Sequence, residues 1–335
     1  MLNDKVILIT GGTGSFGNRF SRRTLDEYSP KKIIIYSRDE YKQYLMKKQF
    51  ADHESKMRFF IGDVRDRNRL YRAFEGVDVV IHAAALKHVP LMEYNPIEAV
   101  KTNIHGAENV IDAAIDSRSI RTVVALSTDK AVNPVNLYGA TKLVSDKLFT
   151  SANAYVGEKK TTFSVVRYGN VAGSRGSVIP FFRTLLDKGE RTFPITDVRM
   201  TRFWITLDEG VDLVFKAINE AKGGEIYVSK LPSFKIVDLA KAINEDIDIQ
   251  TVGIREGEKL HEVMITEEDS KSTYEYDDHY IIYPNFDWWC TKDHFKDGGK
   301  LVQDRFRYSS DNNEKWLTVK QLRDACDKLA YKGDN

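Results

Sequence analysis

The chain has 335 residues, with 50 Lys plus Arg against 49 Asp plus Glu and a formal net charge of +1. That length can bury a large core and points to two domains or one with an appended lobe, while the balanced charge gives no global pull toward nucleic acid or an anionic membrane. Cys290 and Cys326 make neither a disulfide framework nor metal-ligand spacing. No apolar run approaches the roughly 18 to 20 residues of a membrane span, and the start lacks a signal-peptide pattern, so a cytoplasmic protein is expected. His261-Glu262 begins like a zinc-protease motif, but position 265 is Ile rather than His, and no metal is expected.

The first expected strand, KVILIT (5–10), runs into TGGTGSFG (10–17) and then a helical pattern. Gly11, Gly14 and Gly17 allow a tight turn, close approach of a pyrophosphate and close helix packing, with Thr13, Ser15 and Phe16 in the same turn. KIIIYS (32–37) ends at Ser37-Arg38-Asp39-Glu40, where an acid commonly binds a ribose 2′-hydroxyl and Arg38 suits a 2′-phosphate. NADP is therefore favoured over NAD, with Ser37, Asp39 and Lys42 around that end of the cofactor. MRFFIG (57–62) leads to Asp63-Val64, where Asp63 either accepts from the adenine amino group or caps a helix. DVVIHA (78–83) leads to Ala83-Ala84-Ala85 and Lys87, small residues that suit either a dinucleotide against the backbone or plain tight packing.

A helical pattern over Asn95–Ser117 is followed by TVVALS (122–127) and then Thr128-Asp129-Lys130 at the strand's C-terminal end. An ammonium directly after a carboxylate there is either a salt bridge or an acid and a base, because open α/β sheets place their chemistry at that end. Tyr138 and Lys142, four residues apart in a second helical pattern, share a helix face about 6 Å apart along the axis. A tyrosine has an ordinary pKa of about 10 and needs a nearby cation to act as a base near neutrality, a field assigned here to Lys142, which is also expected to hold the nicotinamide ribose. Ser127 and Thr128 lie one strand end away, and TFSVVRY (162–168) is the next strand.

Strands that are apolar on both faces, alternating with helical patterns, predict a Rossmann-type doubly wound parallel sheet with a smaller C-terminal substrate-binding lobe. The expected division is 1–169 plus about 205–228 for the NADP-binding domain, about 170–204 and 229–285 for the lobe, and 286–335 as an extension with a terminal helix.

TGGTGSFG, YSRDE, GDVRD, HAAALKHVP, LSTDKA, NLYGATK, RYGNV, SRGSVIPFF, MTRFW and GIREGEKLHEVM together resemble the inverting UDP-N-acetylglucosamine 4,6-dehydratases of the extended short-chain dehydrogenase/reductase family. The match runs from about Val6 to Pro284 and more weakly through Tyr308-Ser309-Ser310. The resemblance implies that Tyr138 takes the sugar C4 hydroxyl proton while hydride passes from C4 to NADP⁺. Water is then lost across C5 and C6, and hydride returns to C6. Retaining relatives carry Asp-Glu after strand five, so Asp129-Lys130 implies the inverting pattern, with Asp129 the acid for the C6 hydroxyl and Lys130 the C5 base. Crowding by Lys142 and Lys87, with a pocket of low dielectric, is expected to lower the Lys130 pKa. By position in the family segments, UDP-GlcNAc is expected to meet Lys87, Asn170, Val171, Arg175, Ser177, Val178, Arg199, Thr201, Arg202, Arg255 and Glu258. His88 and His261 are read as structural, and Trp204, Trp288 and Trp289 as packing. The family also implies dimers assembled into hexamers. A UDP-sugar 4-epimerase has no need of Asp129-Lys130, and an idle NADP-binding regulator has no need of Tyr138 and Lys142.

Overall fold

The computed structural model describes residues 1–173, 177–286 and 298–329. From the N-terminus, β1 (Val6–Thr10) passes through the glycine turn into α1 (Ser15–Glu27), β2 (Lys32–Ser37) into α2 (Glu40–Gln49), and β3 (Met57–Ile61) into α3 (Arg67–Ala73). β4 (Val79–His82) is followed by α4 (Val89–Tyr94), α5 (Pro96–Val100) and α6 (Gly106–Asp116), and β5 (Thr122–Thr128) by α7 (Leu137–Ser151). Next come β6 (Thr162–Tyr168), β7 (Asn170–Val171), α8 (Val178–Asp187), β8 (Thr192–Ile195), β9 (Thr201–Ile205), α9 (Leu207–Glu220) and β10 (Ile226–Ser229). The chain continues through β11 (Ser233–Lys235), α10 (Ile236–Ile243), β12 (Asp248–Thr251), β13 (Val263–Ile265), β14 (Thr273–Glu275) and β15 (His279–Ile282), then β16 (Lys300–Leu301), β17 (Tyr308–Ser309) and α11 (Val319–Lys328).

The main sheet has the order β16-β14-β15-β10-β6-β5-β4-β1-β2-β3. Its run from β3 to β10 is parallel, and β15 closes onto β10 antiparallel. Strand alternation explains the two covered faces. Leu8 and Val80 join Leu70, Val110 and Ala114 of α3 and α6, while Ile7 and Ile9 join Phe20, Val211 and Val214 of α1 and α9. The doubly wound parallel sheet is thus the fold the alternation predicts. A third core, with Phe182 stacked on Phe193 at 4.3 Å and Leu322 of α11 fully buried, joins β8, β9, α8, α10 and α11.

Three expectations change. The segment 229–285 is divided, because β14 and β15 join the main sheet; the HYII run is buried on both faces, with Tyr280 and Ile282 in one core and Ile281 in the other. α11, expected in a separate extension, completes the core beneath α8 and α10. The helix expected over 95–117 is interrupted by a widened turn at Lys101–His105. Within that turn Asn103 bonds both backbone groups of Leu86, at 2.8 and 2.9 Å, and the Thr141 hydroxyl at 3.0 Å, tying the end of β4 to α7. Among the described residues no helix is long and apolar enough to cross a membrane, and Trp288, Trp289 and Cys290 lie outside them.

Candidate active site

The glycine turn is built for close approach. Gly11 sits at φ +65°, and a Cβ there would lie 2.8 Å from the Cα of Ala84. That approach to the backbone after β4 is the reason for glycine at position 11. At Gly17 a Cβ would fall 2.2 Å from the Gly12 carbonyl oxygen, so only glycine lets α1 start against the turn. Gly14 is the N-cap, with no side-chain cap and no acid in the first turn. The first N–H groups of α1, at Ser15, Phe16 and Gly17, therefore face outward as donors for an anion. Thr13 and Ser37 hydroxyls meet at 2.9 Å, binding the turn to the end of β2. A dinucleotide fits this cradle.

At the ribose end, Arg38 is about half exposed and stands 3.5 Å from Asp63 Oδ2. Several neighbours are more committed than expected. Asp39 caps α2 by accepting from the Lys42 amide at 2.9 Å, and the Lys42 ammonium pairs back to it at 3.1 Å. Asp63 accepts from the Arg65 amide and from its guanidinium at 2.7 Å. Its carboxylate is held below the ordinary value because Arg65 and Arg38 outweigh the effect of burial, and it is not a helix cap, since Asp66 caps α3. Val64 is core, packed where Gly106 lacks a side chain.

The reacting cluster forms where β5 ends in a tight turn at Asp129–Ala131, just before α7. Gly139 makes this possible, since a Cβ there would sit 2.1 Å from the Lys130 carbonyl oxygen. The Lys130 ammonium lies 3.0 Å from Asp129 Oδ1 and 3.6 Å from Glu262 Oε1. Asp129 is fully buried, accepts from Thr128 at 2.8 Å, and leaves Oδ2 without a partner. Burial and the Glu262 charge raise the Asp129 pKa against the pull of Lys130. Burial by itself would lower Lys130, but Asp129 and Glu262 outweigh it and hold the ammonium above its ordinary value. This reverses the expected lowering, because the nearest charges are anions. Lys87, by contrast, is lowered, by burial and by Lys130.

Burial pushes the Tyr138 phenol up to about 12, with Lys130 the largest opposing influence. The expected partner, Lys142, is buried and donates to the Leu126 carbonyl at 2.8 Å; burial lowers its pKa against the pull of Asp146. The cation that acts on Tyr138 is therefore chiefly Lys130. Ser127 is also committed inward, donating to Asp146 at 2.6 Å beside the buried Arg167.

Of the expected sugar-nucleotide contacts, Asn170 is exposed at the start of β7, Val171 pairs with Ile205, and Ser177 caps α8 ahead of Val178 with its hydroxyl unpartnered. Arg175 lies outside the described residues. Arg199 is exposed and pairs with Asp197 at 2.7 Å. Thr201 is buried, its hydroxyl meeting His261 at 2.8 Å and Ser310 at 2.7 Å. Arg202 is mostly buried, donates to the carbonyls of Thr201, Leu260 and Lys259, and lies 3.6 Å from Glu262. These two brace the site from within instead of offering donors to a ligand. Arg255 is exposed and Glu258 half-buried; Asn136, the cap of α7, ties their loop to the site by donating to the Gly257 carbonyl at 2.7 Å.

Glu262 and Gly139 are not among the site residues expected from the sequence. A lone acid entering the apolar run VMI and a glycine directly after the tyrosine were the available signals.

Residues 7–284 match the family model described as polysaccharide biosynthesis protein. Over 97% of this chain and 98% of the relative, it is 54% identical to "UDP-N-acetylglucosamine 4,6-dehydratase (inverting)" of Campylobacter jejuni subsp. jejuni serotype O:23/36 (strain 81-176). It is 40% identical to a UDP-glucose 4-epimerase of Rickettsia typhi (strain Wilmington) over 99% of this chain and 98% of that one. The solved structure of Pen from Bacillus thuringiensis superposes with a TM-score of 0.89 at 38% identity, covering 98% of this chain and 99% of the other.

Proposed function

The chain belongs to the polysaccharide biosynthesis protein family, with the extended short-chain dehydrogenase/reductase fold, and on that premise we propose that it is a UDP-N-acetylglucosamine 4,6-dehydratase that inverts C5. The product is UDP-2-acetamido-2,6-dideoxy-β-L-arabino-hex-4-ulose, a first intermediate toward pseudaminic acid or a related 6-deoxy amino sugar. The observation that carries the reading is the Asp129–Lys130 pair, 3.0 Å apart and next to Tyr138. A 4-epimerase has no use for that pair, since it neither removes the C5 proton nor expels the C6 hydroxyl.

Gly11, Thr13, Gly14, Ser15, Phe16 and Gly17 hold the pyrophosphate of a nicotinamide dinucleotide in this reading, with Arg38 meeting the 2′-phosphate of NADP. When bound, the nicotinamide accepts hydride from C4 and returns it to C6. Tyr138 takes the C4 hydroxyl proton, and the resulting ketone acidifies C5. Asp129 and Lys130 then act as one unit: the ammonium passes a proton across 3.0 Å to the carboxylate, leaving a neutral amine and a carboxylic acid. Closing substrate over the part-exposed lysine favours that neutral form, because desolvation penalises both charges. The amine takes the C5 proton, the acid gives its proton to the departing C6 hydroxyl, and the original ion pair is restored. Tyr138, carrying the C4 hydroxyl proton, is the candidate donor to the opposite face of C5, which balances all protons against one released water.

Lys87, Asn170, Ser177, Val178, Arg255 and Glu258 are the proposed contacts to UDP-GlcNAc; Thr201 and Arg202 support them from behind. A cytoplasmic homo-oligomer is part of the same proposal; Leu91, Tyr94 and Ile97, which stand exposed at 61%, 84% and 62% on α4 and α5, support its oligomeric part.

Incubation with UDP-GlcNAc in heavy water is expected to give a 6-deoxy-4-keto sugar with deuterium at C5, read by NMR of the product. Retention of the C6 hydroxyl with only C4 inverted overturns the dehydratase reading in favour of the epimerase. Arg38→Ala is expected to weaken NADP binding by about tenfold or more while leaving NAD nearly unchanged, as befits the loss of one charge-assisted phosphate contact; equal losses for both cofactors, measured by titration, remove the 2′-phosphate assignment.

A further inference from the structure

We propose that Glu262 is a positioning residue for the elimination step: its buried carboxylate, held between Lys130 and Arg202, sets the pH range over which the Asp129–Lys130 pair holds the one proton it transfers. The inference rests on the dehydratase reading and deepens it.

The geometry is specific. Glu262 is 2% exposed, and its Oε1 stands 3.6 Å from both the Lys130 ammonium and Arg202 Nε. Its backbone is clamped on both sides, the amide donating to the Ser310 hydroxyl at 2.9 Å and the carbonyl accepting from the Ser310 amide at 2.8 Å. β13, which follows directly, packs against the turn carrying Asp129 and Lys130. Glu262 Oε2, like Asp129 Oδ2, is buried without a hydrogen-bond partner. Two buried carboxylates thus share one ammonium, each with an oxygen left over.

Two carboxylates so placed do not behave alike. Arg202 stands against Glu262 alone, and Lys259 adds a second nearby cation whose ammonium is anchored on the Val132 carbonyl. Burial opposes the Glu262 anion, but Lys130, Arg202 and Lys259 outweigh it, so its pKa falls below the ordinary value. That fixed anion in turn helps raise Asp129. The charged and titratable groups facing the pair are therefore Glu262, Arg202, Lys259, Lys87 and Tyr138. Of these, Glu262 is the permanent negative charge. It makes Asp129 easier to protonate, as an acid for the C6 hydroxyl must be, and it keeps Lys130 from losing its proton to solvent before substrate arrives.

Removing a negative charge lowers the pKa of every neighbouring group, whichever is acid or base. Glu262→Gln keeps the shape and is expected to move both limbs of the kcat/KM–pH profile for UDP-GlcNAc dehydration to lower pH, by about one unit. A limb moved by one unit changes the rate about tenfold at a pH well out on that limb. Arg202→Gln removes the opposing charge and is expected to move the profile to higher pH. A merely structural role lowers kcat in both variants without displacing the profile, so opposite displacements identify the electrostatic role. Either variant decides the matter should the other fail to fold: a profile coincident with wild type, or displaced in the opposite sense, overturns the proposal. Absence of dehydration by the wild-type protein itself overturns the dehydratase reading instead, so the two failures are distinct.

Discussion

Lys130→Gln is expected to reduce water elimination by about a hundredfold to ten-thousandfold, the range for loss of a positioned general base, while C4 oxidation continues. Mixed with UDP-GlcNAc, the variant accumulates reduced nicotinamide and a bound 4-keto sugar, and releases no 6-deoxy product. The substitution keeps a side-chain donor facing Asp129 and Glu262 but removes the charge between them. Two buried carboxylates cannot both remain ionised there, and one takes a proton. Asp129, already raised by burial and by Glu262, is the one that does. The acid is then present and the base absent. Because Lys130 is also the strongest influence lowering the Tyr138 pKa, C4 oxidation slows in the variant. Raising the pH restores that oxidation without restoring elimination, and stopped-flow absorbance of the reduced nicotinamide beside NMR of the sugar separates the two steps. Product formation within tenfold of wild type removes Lys130 from the mechanism.

The contrast between what the residues announced and what they hid has a physical origin. β1, β2, β4, β5 and β6 were legible because a parallel strand buried on both faces is a short continuous apolar run, and each such run ended on a turn with its own chemistry; β3, expected to be covered likewise, is the sheet edge, with Arg58 and Ile61 exposed. The glycine turn was legible because steric exclusion at Gly11 and Gly17 is a property of residue type. The presence of Tyr138, Asp129 and Lys130 in one site followed from strand-end position. Their protonation did not. It depends on Glu262, which reaches Lys130 from a distant part of the chain through the clamp to Ser310. The same separation in sequence hid the contacts of Thr201 and Arg202: both are polar types in a ligand-like segment, but the groups they meet are the carbonyls of Lys259 and Leu260, the His261 imidazole and the Ser310 hydroxyl. A buried polar group is satisfied by whatever packs against it, and that is tertiary information.

Tyr138→Phe is expected to abolish turnover to at least the same degree as Lys130→Gln, but at an earlier point. The phenol is the only hydroxyl on the first turn of α7, which carries Leu137, Tyr138 and Gly139. Without it, no group at that position takes the C4 hydroxyl proton, and no ketone forms. The C5 proton then keeps its ordinary weak acidity, so deuterium does not enter C5 even though Asp129 and Lys130 are intact. Phenylalanine preserves the buried ring and removes only the hydroxyl, so binding of UDP-GlcNAc is expected to change by less than about threefold, consistent with loss of an interaction made chiefly in the transition state. The pH dependence carries the sharper consequence. With burial pushing the phenol up to about 12, Tyr138 is protonated near neutrality in the free enzyme. If the ionised phenol is the base, the rate of C4 oxidation in the wild type climbs about tenfold per pH unit below that value wherever the chemical step limits. That slope belongs to nicotinamide reduction in a single turnover and vanishes in the phenylalanine variant. Reduced nicotinamide formed by Tyr138→Phe at a wild-type rate assigns the C4 proton to another group, and Thr128, which meets the phenol and Asp129 together, is the residue then left in reach.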